Sequence, residues 1–115
     1  MFIEKKPDEI ALLSFFESEP ASFNRDNISY LYTAKDKKGI SLNFSFSVVE
    51  GWIQYTLMLS DYEFLYNSID VDSFMIKDDK VGEYLYIEVV TDTLVNKIEI
   101  RISPEISIKS STLIR

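Results

Sequence analysis

Nine residues, Ile40 to Val48, restrict the fold of this chain more than any others. Ile40, Leu42, Phe44, Phe46 and Val48 alternate without a break with Ser41, Asn43, Ser45 and Ser47. Successive side chains of an extended strand point to opposite faces, so this pattern buries every apolar residue on one side only. A helix would scatter the same residues around its circumference. The period recurs downstream. In Trp52 to Leu59, Ile53, Tyr55, Leu57 and Leu59 point inward while Trp52, Gln54, Thr56 and Met58 point outward. In Gly82 to Thr91, Leu85, Ile87 and Val89 face Tyr84, Tyr86, Glu88 and Val90 across the strand. In Val95 to Ile102, Ile98, Ile100 and Ile102 oppose Lys97, Glu99 and Arg101.

Weaker segments fill the remainder. Asn27 to Ala34 is rich in β-formers, Ser73 to Lys77 reads as a short strand, and Ile106 with Ile108 forms a final short edge strand after Pro104. Asp61 to Ser68 reads as a loop or an irregular strand, because Leu65 breaks the alternation of Tyr62, Phe64 and Tyr66. Glu50-Gly51 suggests a two-residue hairpin turn. Only Pro7 to Ser18 has helical spacing: Pro7 fits a first turn, Asp8 and Glu9 suit its positive end, and Ile10, Leu13 and Phe16 with Leu12 and Phe15 form the apolar side. The helix is expected to lie across an opening or face of the sheet. With short turns and no crossover helices, the expected fold is mainly β (α+β). It is an antiparallel meander of six to seven strands, as a curved sheet, sandwich or partly open barrel, with one short N-terminal helix. The 115 residues form a single domain, 1-115.

Composition removes several kinds of chemistry. The chain has no Cys and no His, which rules out disulfides, thiolate metal sites, cysteine nucleophiles and the commonest general base. It has no Gly-rich phosphate loop and no nucleophile elbow. Read as an EF-hand from Asp70, the fifth, sixth and twelfth positions are Phe74, Met75 and Val81, which cannot serve. Neither a cofactor nor a metal is expected, and nothing points to an enzyme. The start, Met1 to Glu9, lacks the apolar stretch of a secretory signal, and no run approaches the ~20 apolar residues of a membrane span. A cytoplasmic location is the expectation.

The charge is uneven. Between Asp61 and Asp92 there are nine carboxylates against Lys77 and Lys80, a net −7 that equals the formal charge of the whole chain. Lys35, Lys37 and Lys38 mark a solvated turn rather than a phosphate site, and no basic stripe exists. An acidic stretch on a neutral scaffold repels nucleic acid and anionic membrane and attracts a basic protein. The candidate partner-binding residues are therefore Asp70, Asp72, Asp78, Asp79, Glu83 and Glu88 for steering, with Trp52, Tyr84 and Tyr86 as apolar anchors, and Tyr62 and Tyr66 beside them. The same aromatics also read as core or rim residues if both sheet faces are covered.

With Gly51-Trp52-Ile53-Gln54-Tyr55-Thr56-Leu57 and Gly82-Glu83-Tyr84-Leu85-Tyr86-Ile87-Glu88 in a short, acidic, Cys-free β chain, the sequence resembles small bacterial immunity proteins of contact-dependent and other polymorphic toxin systems. The resemblance is one of style over the whole chain and carries no signature residue. It implies a tight one-to-one complex with a cognate toxin domain, often a basic nuclease, in the cytoplasm. Two other readings stay open: a small-ligand-binding lipocalin-like barrel, and an adaptor subunit that pairs through a sheet edge.

Overall fold

The structure, a computed structural model, describes residues 2–115. Its elements are α1 (Glu9–Phe16), β1 (Ser22–Asn24), β2 (Ser29–Lys35), β3 (Ile40–Ser47), β4 (Trp52–Leu59), β5 (Tyr62–Asp70), β6 (Met75–Asp78), β7 (Glu83–Val90), β8 (Leu94–Arg101) and β9 (Ser107–Ile114). They form two antiparallel sheets, one ordered β1-β2-β3-β4-β5 and the other β6-β7-β8-β9. The sheets pack face to face and no barrel closes. The alternation in β3 and β4 sorts its residues as expected: Leu42, Phe44, Phe46, Ile53, Tyr55 and Leu57 are buried, and from the second sheet Leu85, Ile87, Ile98 and Ile100 meet them. An aromatic column runs through this core. Phe46 lies 5.1 Å from Phe74 and 6.1 Å from Phe44, and Phe16 stacks on Tyr32 at 4.6 Å.

Several local expectations change. The helix is two turns long. The Asp8 carboxylate accepts the Ala11 N–H at 2.7 Å as its N-cap, and Glu17 ends it in the left-handed region at φ 57°. Its buried stripe is Leu12, Phe15 and Phe16, while Ile10 and Leu13 are exposed, because a short helix set against one end of the sandwich can bury only one side. The β3–β4 connection is a four-residue loop, since Ser47 pairs with Trp52. The fully buried Ser47 hydroxyl organises it, donating to the Asn27 carbonyl at 2.6 Å and accepting the Glu50 N–H at 3.1 Å, and Gly51 supplies the φ of 72°. Of the two readings of Asp61 to Ser68, loop or irregular strand, the second holds: β5 pairs with β4 over its length, with a bulge opposite Leu57 and Met58 that explains the broken alternation. The final strand extends to Ile114, and β1 pairs with β2 where no strand was foreseen. Among the described residues there are nine strands rather than six or seven.

Two links fix the sheets to each other. The N-terminal segment ties the β3–β4 loop of the first sheet to the β5–β6 connection that leads into the second: the Ile3 N–H donates to the Val48 carbonyl and the Glu4 N–H to the Asp72 carbonyl, each at 2.8 Å. At the opposite end, Asp36 in the β2–β3 turn accepts N–H bonds from Lys38, Ile40 and, across the sandwich, Ile106, each at 3.0 Å.

Candidate functional site

The strand directions place the loops at two poles. One pole carries the β1–β2, β3–β4 and β5–β6 connections with the C-terminal end of β7; the other carries the β2–β3, β4–β5 and β6–β7 turns. The sequence-predicted set divides between them. Trp52 and Asp70 are register partners at the first pole, and Asp72 follows directly. Asp70, Asp72 and Glu88 rim a shallow notch of about 180 Å³ floored by Val71 and Val89. Asp78, Asp79 and Glu83 surround the β6–β7 turn at the second pole. Glu88 stands five positions after Glu83 along β7, roughly 17 Å of strand. The carboxylates are thus two groups and not one patch.

The first pole is pre-organised. The Trp52 indole N–H donates to Glu50 Oε1 at 2.9 Å, and the Asn27 amide donates to the same oxygen at 2.8 Å. These donors, Trp52 first and Asn27 second, hold the Glu50 carboxyl below its ordinary range. Glu50 and Asp26 add to the acidity of this pole, and Ile28 and Val49 on the same loops and Phe2 in the adjoining N-terminal segment are exposed apolar residues. No alternation or turn motif singles out those three. Ile28 takes a positive φ of 48°, unusual for a β-branched side chain.

The second pole is largely neutralised from within. Asp79 pairs with the Arg101 guanidinium and accepts the Val81 N–H at 2.9 Å, and these contacts, Arg101 foremost, lower its pKa. Arg101 also lies 4.6 Å over the Tyr84 ring. Lys77 sits 3.8 Å over Tyr86, whose hydroxyl donates to Glu88 at 2.5 Å. Desolvation first, and then the Glu88 bond, push the Tyr86 phenol up to about 12. Tyr84 and Tyr86 are half-buried beneath cations, and around them the register sets Glu88 against Lys97 and Glu99 against Lys109. The outer face of the second sheet therefore has balanced charge.

The free aromatic surface lies elsewhere. Tyr62, Phe64 and Tyr66 on β5 are 71%, 48% and 56% exposed. Among the described residues no group of three or more Asp or Glu side chains is arranged to hold a metal, and no helix is long and apolar enough to cross a membrane.

The lowered carboxylates predict an acid response. In Asp36 partial desolvation works to raise the pKa, but the N–H donors of Ile106, Ile40 and Lys38 together outweigh it, and the net shift is downward. Asp36, Glu50 and Asp79 all have folded-state values below their unfolded ones, so their stabilisation is complete above the ordinary carboxylate range and is lost as pH falls through the lowered values. The urea midpoint should be flat from about pH 7 to 5 and fall below about pH 4. Asp36→Asn should flatten that fall; an acid slope equal to wild type would remove Asp36 from it.

No protein-family model matches the chain, nor does any curated protein. Among solved structures, it is similar to a chain of a contact-dependent growth inhibition toxin–immunity protein complex from Klebsiella pneumoniae 342. The two are 66% identical, the match covers 98% of this chain and 100% of that one, and the TM-score is 0.95.

Proposed function

This chain belongs to the immunity-protein family of contact-dependent growth inhibition systems, and on that premise we propose that it neutralises a basic cognate toxin domain by forming a direct one-to-one complex in the cytoplasm. The observation that carries this reading is full-length identity of 66% to a chain solved within a toxin–immunity complex. The chemistry agrees with an inhibitor that works by occupation. There is no His or Cys, and the phenol of Tyr86 and the carboxylate of Asp79 are tied up in structural contacts.

The steering surface belongs at the first pole. Asp70, Asp72 and Glu88 converge there with Trp52, and the Trp52 and Asn27 donors favour the ionised form of Glu50. Carboxylates on a rigid platform raise the encounter rate with a cationic partner and fix its orientation. Asp78 and Glu83 join as a second, weaker field, whereas Asp79, Tyr84 and Tyr86 act by holding the β6–β7 turn and the sheet face in shape. A basic nuclease domain has the positive, phosphate-binding surface that such a field selects. A ligand carrier is less well supported, because Phe44, Phe46, Ile53, Leu85, Ile87 and Ile100 fill the space between the sheets without exposure.

The test is protection. Bacteria induced to make the toxin domain encoded beside this chain should survive when the chain is co-expressed, and the two should co-purify in equal amounts. Cell death at matched expression, with no co-purification, would overturn the reading.

A further inference from the structure

The four edge strands of the two sheets are β1, β5, β6 and β9. Exposed edges carry unpaired N–H and C=O groups, and folded proteins blunt them with short length, lysine or proline. β1 has three residues. β6 has four and includes Lys77. β9 places Lys109 in a run of Ser and Thr. β5 has none of these: it is nine residues long, and positions 60–76 hold no Lys, Arg or Pro. The bulge leaves Phe64 without a cross-strand partner and turns it outward, but from Leu65 to Asp70 the register is regular. Three of the exposed aromatic side chains, Tyr62, Phe64 and Tyr66, lie within five residues along this edge.

Resting on the immunity reading above, we propose that the free edge of β5 is the docking strand for an extended, cation-bearing segment of the toxin. The segment adds a strand beside β5 through backbone hydrogen bonds, with Tyr62, Phe64 and Tyr66 supplying the desolvated apolar contact. The charge of the edge selects the occupant. Asp61, Glu63, Asp70 and Asp72 line it with no cation among positions 60–76. A second copy of this chain paired edge to edge would bring both carboxylate sets into one seam, which costs free energy, whereas lysines or arginines on the toxin would complete it.

The chain and the toxin domain encoded beside it would be titrated by calorimetry. Tyr62→Ser/Phe64→Ser/Tyr66→Ser should weaken the complex by about 100-fold or more, with an unchanged thermal midpoint because all three side chains are exposed. Ser68→Lys, which sets a lysine on the regular part of the edge, should weaken it by about tenfold or more. In hydrogen exchange, amides of β5 should slow on complex formation. Variants that bind within threefold of wild type, with β5 exchange unaltered, would overturn the edge while leaving the immunity reading intact. A wild-type chain that does not bind the toxin would overturn both. A homodimer of the chain alone that the triple variant dissolves would make a second copy the occupant and end the proposal.

Discussion

Phe46→Ala lowers the unfolding free energy by about 3–5 kcal/mol, the range for removing a large aromatic side chain from a close-packed core. Phe46 is fully buried, with Phe74 at 5.1 Å, Tyr30 at 5.2 Å and Phe44 at 6.1 Å around its ring. The loss combines the transfer of the ring to water with a cavity that two opposed sheets cannot collapse into. Domains of this size have a total stability of about 5–15 kcal/mol, so the variant should be close to unfolding at 37 °C. Urea denaturation followed by circular dichroism gives the value. Tyr62→Ala in the same assay should stay within about 0.5 kcal/mol, since that ring is mostly in solvent. A shift below about 1 kcal/mol for Phe46→Ala would mean that the aromatic column does not hold the sandwich together.

Reversing charge at the first pole should slow toxin association by about tenfold or more at low salt, and reversing the same number of charges at the second pole should slow it less. The comparison is Asp70→Lys/Asp72→Lys against Asp78→Lys/Glu83→Lys. Both pairs change the net charge equally, so a difference between them isolates position from total charge. The effect should fade toward 1 M salt, where the screening length is roughly 3 Å. Stopped-flow association over a salt series measures it. Equal on-rates for the two variants would mean that the division of carboxylates between poles has no bearing on encounter.

Both expectations begin in the sequence, but they were legible to different degrees. The core was readable because β3 and β4 bury one face each, and a period of two then marks the interior residues directly. Phe44, Phe46, Ile53 and Leu57 needed no coordinates. Where the physical cause was non-local, the pattern failed. The β5 alternation looked broken because a bulge adds a residue to one strand of a pair, which only the partner strand reveals. The helix stripe drifted to Leu12, Phe15 and Phe16 because Tyr32 and Phe44 set the contact, not the spacing of the helix itself.

The candidate site shows the same limit. Nine carboxylates in one stretch of sequence suggest one patch, but β7 carries Glu83 and Glu88 to opposite poles, and Arg101, twenty-two residues from Asp79, removes that charge from the surface field. Tyr84 and Tyr86 were candidates for open anchors, and the cations of β6 and β8 cover them.

By itself the sequence determined the chemistry the chain lacks, the strand periodicity, and the apolar face that each strand turns inward, because these follow from residue type and from neighbours along the chain. Only the tertiary structure decided which acids stand together, which aromatics remain free and which sheet edge is left open. Charge and exposure depend on through-space neighbours, and a sheet brings those together from positions that are far apart in the chain.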